Sequence, residues 1–385
     1  MDELIIIADN RFPLPCAATT RLYMLCRIFQ SLNYKTTVFI INAQEKKRFR
    51  LEEENIDCRW FTDDGSCRFH YLAENKKLTE AVKKRENLKY VILYQEILVQ
   101  TLRLHEIAKQ QGFEIIAYFD EWYEWGSSGH TKFIDRFTRS LSIRISEYIV
   151  APKIRKKIVI SRALKKFYKR DDCLLLPTLV DLDDAVWKRD RFEQGHRIVI
   201  VYAGWPANRD DLRMLVEVVD ELPQRKKNRI LLKIYTYETD RSLLQKLIPD
   251  LDRIERENRG IIKFLGKVTR ERVIEELKKA NFAYLLRKNK WFNNVVFSTK
   301  IGESLAAGTP MFANCTSDIG YYIKDGYSGI LIDDMSKEAV RNSLERILRL
   351  SDDELTAMKI NAYKTAKKYF DYRRYNGRMK EFLER

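Results

Sequence analysis

Short apolar runs alternate with helical patterns along the whole chain. ELIIIAD is a continuous apolar run rich in isoleucine, the pattern of a parallel strand buried on both faces. The turn residues NRFPLP follow, then Leu22, Leu25, Cys26, Phe29 and Leu32 at helical spacing, then a second run, TTVFIIN. YVILY, EIIAYFD and KIVIS repeat the strand pattern, separated by helical stretches such as LVQTLRLHEIAKQQ. A second cycle opens at RIVIVYAGW. RILLKIYTY, IIKFLG, FAYLLR, TPMFAN and SGILID continue it, with helical RERVIEELKKA and KEAVRNSLERILRL between them, and from residue 352 the chain reads as helical and basic to its end. This alternation predicts an α/β protein of doubly wound parallel sheets. A single core stops growing well short of 385 residues, so two domains are expected. The charged, aperiodic stretch DLDDAVWKRDRFEQGH reads as the linker, which divides residues 1–185 from residues 186–365.

Composition narrows the classes. No run of about 20 uncharged apolar residues occurs, and the acidic start MDELIIIADN lacks the features of a secretory signal, so a cytoplasmic protein is expected. The six cysteines are scattered and make no zinc-binding spacing; no metal and no cofactor is expected. A net charge of +16 suits nucleic acid, anionic lipid or phosphorylated ligands. Nucleic-acid motifs are missing, which leaves a nucleic-acid-binding protein supported by charge alone. Residues 132–170 hold 13 basic side chains against two acidic ones. Phe133, Ile134, Phe137, Leu141, Ile145, Tyr148 and Ile149 are interleaved at amphipathic spacing. Either this is a core-facing helix with a solvated basic face, or it docks on an anionic membrane at about 1 kcal/mol per basic residue near the surface, Lys156 and Lys157 included.

Two phosphate-binding patterns occur in the second half, each where a strand gives way to a helix. In VYAGWPANRDD, Gly204 permits close backbone approach, Pro206 stiffens the turn and Arg209 offers a planar cationic fork. In FSTKIGESLAAGTP, Ser298 and Thr299 precede a helix whose free N–H groups favour an anion, and Lys300 adds a mobile point charge. Glu303 lies one turn on, where its carboxylate can hold a ribose diol. Each feature also has a structural explanation, as turn, N-cap or dipole partner. Two such patterns at one end of one sheet favour a nucleotide site.

NNVVFSTKIGESLAAGTPMFANCTSDIGYYIKDGYSGILI resembles the signature region of the retaining glycosyltransferases of group 1, also called family 4. VYAGWPANRD, FLGKVTRERVIEELKKANFAYLLR and VISRALKKFY followed by LLLPTLVD resemble the same family in the same order. The resemblance implies a GT-B fold: two Rossmann-like domains facing each other across a cleft, with a C-terminal helix over 366–385 packing back on the first. It implies transfer of a sugar, with retention, from a nucleotide sugar such as a UDP-sugar to a glycan or lipid-linked acceptor, in polysaccharide or glycolipid assembly. By position, Gly204, Arg209, Lys300 and the amides at Ser298 and Thr299 match the diphosphate contacts, and Glu303 matches the ribose contact. Arg209 and Lys300 would then stabilise the leaving group. The family's first glutamate, which contacts the sugar, is replaced by Val295; Asn293, Asn294 or backbone groups are the substitutes, and a GT-B protein that binds without turnover is the alternative.

The first half carries the acceptor by resemblance. Arg11, Thr19, Thr20 and Arg21 lie in or beside the loop after the first strand. FDEWYEWGSSGH brings Asp120, Glu121, Trp122, Tyr123 and His130 to the end of another, since aromatic faces and carboxylates suit sugars. Asp120 and Glu121 are also candidates for acid/base work.

Overall fold

The structure, a computed structural model, describes residues 1–8, 17–41, 56–61, 75–94, 98–122, 133–169, 172–189, 195–206, 209–236 and 241–385. Arg11, Tyr123 and His130 lie outside them.

The first unit, Met1–Leu179 with Tyr372–Arg385, begins β1 (Glu3–Ala8), α1 (Ala17–Ser31), β2 (Lys35–Ile41), β3 (Asp57–Phe61), α2 (Lys76–Lys83) and β4 (Leu88–Tyr94). It continues α3 (Leu98–Gln111), β5 (Glu114–Phe119), α4 (Phe133–Ile145), β6 (Lys156–Val159), α5 (Arg162–Tyr168) and β7 (Cys173–Leu175). Its seven strands are all parallel, in the order β3-β2-β1-β4-β5-β6-β7. β1 and β2 are buried almost end to end, which is why they read as unbroken apolar runs. β3 and β7 escape the sequence pattern because they are short edge strands; β3 is half exposed and carries Asp57 and Arg59.

The second unit, Val180–Asp371, begins β8 (Ile198–Ala203), α6 (Leu212–Asp220), α7 (Gln224–Lys227), β9 (Ile230–Tyr235), α8 (Arg241–Leu247), α9 (Leu251–Glu257) and β10 (Ile262–Phe264). Then come α10 (Arg270–Lys279), β11 (Phe282–Leu285), α11 (Trp291–Asn294), α12 (Thr299–Ala306), β12 (Met311–Asn314), α13 (Ile319–Tyr322) and β13 (Gly329–Ile332). α14 (Lys337–Arg349) and α15 (Asp352–Tyr369) close it. The parallel order is β10-β9-β8-β11-β12-β13, so the strand order reverses between β8 and β11, where ligands sit in open α/β sheets.

The boundaries differ from those the sequence suggests. Residues 180–189 are part of the second unit: Trp187 is buried with the Arg270 guanidinium over its ring, and Lys278 Nζ donates to the carbonyl of Lys188 at 3.1 Å. A short aperiodic segment can pack through one tryptophan, which periodicity does not register. At the far end α15, begun by a Ser351–Glu354 capping box, extends the second unit to Asp371, and Val180 N donates to Phe370 O at 2.9 Å. The chain then returns through a 3-10 turn, Tyr372–Tyr375, to α16 (Asn376–Glu384), whose Met379, Phe382 and Leu383 are buried in the core of the first unit.

The basic segment 132–170 is not one surface. α4 runs into a π-helical turn, Ser146–Val150, and a 3-10 turn, and the chain then enters the sheet as β6. Lys156 and Lys157 therefore sit inside, against the expectation that they face a membrane. Lys156 Nζ donates to Glu114 Oε2 at 2.7 Å and to the Leu383 carbonyl at 2.5 Å, and Lys157 Nζ donates to the Ile154 carbonyl. Buried ammonium groups need such partners, and here the returning C-terminal helix provides one. Among the described residues no helix is long and apolar enough to cross a membrane.

Candidate functional site

β8 ends at Ala203, and Gly204 takes φ +150°, a conformation that L side chains rarely adopt. A Cβ there would collide with Nζ and Cε of Lys300, so the absent side chain makes room for the lysine head. The chain then runs to Asp211, which caps α6 by accepting from Met214 N at 3.1 Å and donates its own N–H to Leu286 O at 2.7 Å, beside the end of β11. Asp210 and Arg287 consequently face each other as an isolated antiparallel bridge at the point where the strand order reverses.

Four side chains meet there. Arg287 Nε donates to Asp210 Oδ1 at 2.8 Å, the Tyr202 hydroxyl donates to Asp210 Oδ2 at 3.0 Å, and Lys300 Nζ pairs with the same Oδ2. The Lys300 ammonium also lies 4.4 Å from the centre of the Tyr202 ring. Burial alone would raise the Asp210 carboxyl, but Lys300 and Arg287 outweigh it and hold the group well below its ordinary value. For Lys300, burial lowers the ammonium; Asp210 opposes this, Arg287 adds to it, and the net direction is down. Lys300 is thus pinned at the cluster, where a mobile point charge was expected. Asn314, the last residue of β12, fixes Arg287 from behind by accepting from its N–H at 2.9 Å and donating to its carbonyl at 2.8 Å.

Ser298 and Thr299 begin α12 as expected, and the Ser298 side chain makes no capping hydrogen bond to the helix. Glu303 Oε1 accepts from Arg270 Nε at 2.7 Å, so an arginine from α10 orients that carboxylate. Arg209 is turned toward α11: its guanidinium lies over the Phe292 ring and donates to the Phe292 carbonyl at 3.4 Å. Asn294 accepts from Ser317 N at 3.1 Å and donates to Asn289 Oδ1 at 2.6 Å, while Asn293 is fully buried and donates to the Lys288 carbonyl at 2.9 Å. Val295 is 0% exposed. The position of the family's first acid therefore points into the core, and the loop is held by amide side chains.

The structure places Gly204 against the Lys300 head, and Ser298, Thr299 and Glu303 at the start of the helix that carries Lys300. It adds Asp210, Arg287, Tyr202 and Arg270, which sequence reasoning missed. A charged residue ending each of two strand-to-loop segments was the available signal; their adjacency depends on the β8–β11 crossover.

In the first unit, Arg21 Nη1 donates to Asp120 Oδ2 at 2.8 Å and the Tyr94 hydroxyl donates to the same oxygen at 2.5 Å. All three are buried. Burial depresses the Arg21 guanidinium, but Asp120 together with Tyr94, Glu121 and Tyr118 outweighs it, so its net direction is up; burial, then Asp120, raises the Tyr94 hydroxyl well above its ordinary value. This oxygen of Asp120 is engaged as an acceptor for two donors. Thr19 and Thr20 are half-buried on the first turn of α1, and Glu121 is half-buried beside Asp120. Trp122 is buried, edge-on to Tyr148 and Phe167 with the Arg144 guanidinium over its ring, so its faces are taken by the protein. In the π-helical turn Glu147 is buried, and that burial raises its carboxyl to about 7 even though Arg144 donates to it at 2.6 Å. Tyr148 and Ile149 next to it are exposed, as are Phe137 and Leu141 on α4.

Residues 183–365 match the family model described as glycosyl transferases group 1. No curated protein matches the chain. Among solved structures, the chain is similar to a glycosyltransferase from Rickettsia africae ESF-5, with TM-score 0.73 at 13% identity over 100% of this chain and 98% of that one. It is similar to Anabaena Alr3699/HepE in complex with UDP and glucose, with TM-score 0.70 at 14% identity over 98% and 99% of the two chains. Sucrose-phosphate synthase from Thermosynechococcus elongatus gives TM-score 0.70 at 13% identity over 100% and 98%. Two parallel sheets with helices, matched over the full length of such chains, make this the GT-B fold of two Rossmann-like domains.

Proposed function

We propose that the protein, whose residues 183–365 match the group 1 glycosyl transferases, moves a sugar from a nucleotide sugar to a hydroxyl acceptor with retention of configuration. The observation that carries this reading is the pair of cations, Lys300 and Arg287, held at the strand-order reversal beside Gly204 and the N-terminus of α12, with Glu303 one turn away. A diphosphate placed there meets two fixed charges and the free amides of a helix start, and a ribose diol meets Glu303. As the bond between the anomeric carbon and the diphosphate oxygen breaks, the acceptor oxygen attacks on the same face and its proton passes to the departing oxygen. The protein supplies positioning and stabilisation of the leaving charge, with no metal ion or cofactor invoked. A uridine donor is favoured by analogy with the Anabaena protein, whose structures hold UDP. Polysaccharide or glycolipid assembly is the expected setting.

The acceptor is proposed to be lipid-linked, reached from an anionic membrane face. The support is the exposed set Phe137, Leu141, Tyr148 and Ile149, with Arg162, Lys165 and Lys166 exposed on α5, whose Phe167 packs against Tyr148. Apolar side chains flanked by cations suit that interface.

Thermal stabilisation and slow donor hydrolysis across UDP-, GDP-, ADP- and dTDP-sugars test the reaction; silence toward all of them refutes it. Lys300→Ala should abolish nucleotide binding in a folded protein. For the membrane, flotation with anionic liposomes should weaken in Lys165→Glu/Lys166→Glu, whereas equal flotation with neutral liposomes would count against the surface.

A further inference from the structure

A buried acid inside an anion site repels the ligand that the site serves. Asp210 nevertheless lies at the centre of the cluster, 6% exposed, with Arg287 on one oxygen and Tyr202 and Lys300 on the other. These partners come from β8, from the end of β11 and from the first turn of α12. The carboxylate is thus a group that all three segments share.

We infer that Asp210 is a positioning residue for donor binding: it fixes the Lys300 ammonium and the Arg287 guanidinium in place and keeps the lysine charged, so that the site depends on a carboxylate that itself repels the diphosphate. This deepens the nucleotide reading above and rests on it.

The surroundings of Lys300 leave Asp210 as the sole acid in contact with it among the described residues. Its head lies between the Tyr202 ring and the Gly204 backbone, with Arg287 across the carboxylate. Behind these stand Asp211 and Tyr284, whose hydroxyl donates to the Asp211 carbonyl at 3.0 Å; Asp211 itself caps α6. Glu303, on the same helix as Lys300, is paired with Arg270. Tyr202 and Tyr284 are raised well above the ordinary phenol value by burial and stay neutral through the working range. Burial and Arg287 both favour a neutral lysine, so the balance turns on Asp210. A lysine stem also loses much rotamer freedom when held, and an anchor present before the ligand arrives removes that cost from binding.

The test is UDP affinity by calorimetry between about pH 6.5 and pH 9, together with the rate at which limiting acetic anhydride labels Lys300 in the free protein, read by mass spectrometry. Simple charge repulsion predicts tighter binding in Asp210→Asn. Positioning predicts the reverse: roughly tenfold weaker UDP binding near neutral pH, as expected for a disrupted charge-assisted contact, and a further loss toward pH 9 as Lys300 deprotonates. Labelling of Lys300 should rise at lower pH than in the wild type. Asp210→Asn/Lys300→Arg should lose the pH dependence, since a guanidinium stays protonated. Asp210→Glu, which keeps the charge, should also remain flat with pH, and it serves if the Asn variant does not fold. Equal or tighter UDP binding by Asp210→Asn at every pH, with unchanged labelling, overturns the inference. If the wild type binds no nucleoside diphosphate, the nucleotide reading fails, and the labelling still decides whether Asp210 sets the charge of Lys300.

Discussion

Gly204→Ala should disable the proposed nucleotide site from a position that carries no functional group. Two costs arise. The backbone at φ +150° is strained for any residue with a Cβ, on the order of 1–3 kcal/mol. The new methyl would also overlap Nζ and Cε of Lys300 and must push the ammonium off Asp210 and the Tyr202 ring. Losing one charge-assisted contact of this kind is worth about 1.5–3 kcal/mol. If the displaced ammonium no longer meets the diphosphate, affinity for UDP falls roughly 10- to 150-fold. Calorimetric titration with UDP and scanning calorimetry measure both effects. A double-mutant cycle separates them: in a Lys300→Ala background the methyl has no lysine head to strike, so Gly204→Ala should cost only the backbone strain. Wild-type UDP affinity in Gly204→Ala, or an identical stability loss with and without Lys300, would refute the steric argument.

Arg270→Leu should leave the fold intact but free the Glu303 carboxylate, weakening UDP about as much as it weakens uridine, because the predicted contact is to the ribose; a deficit confined to the diphosphate would contradict that role. Glu147 has a folded value of about 7 against an ordinary 4.5, so the native state binds the extra proton between those values and stability falls as pH rises through that window. Chemical denaturation should accordingly show Glu147→Gln gaining roughly 2–3 kcal/mol on the wild type between pH 5 and pH 8, and a constant difference would argue against a protonated Glu147. Lys156→Met should loosen α16, which loses the bond to the Leu383 carbonyl, and hydrogen exchange over 376–384 should speed up while 299–306 is unchanged.

Parts of the proposed nucleotide site were legible because turn chemistry is local. A glycine after a strand, and Ser-Thr before a helix with an acid one turn on, are local patterns, and the structure places Gly204 just after β8 and Ser298, Thr299 and Glu303 at the start of α12. Arg209 and Trp122 show where local reading ends. Both are of the right type in the right loop, yet one guanidinium lies over Phe292 and the other ring is enclosed by Tyr148, Phe167 and Arg144. A long or aromatic side chain goes where packing and charge are best satisfied, and those partners are remote in sequence.

The sequence by itself determined the two parallel sheets, since strands covered on both faces must be apolar throughout and the helices between them must follow a helical period. Tertiary structure decided which charges meet. Asp210 finds Arg287 across 77 positions and Lys300 across 90 because the crossover places β11 beside β8, bringing the ends of two non-consecutive strands together. It also took Lys156 and Lys157 off the surface, since a lysine in a buried strand can satisfy its donors wherever a carboxylate or a carbonyl lies at the end of its stem.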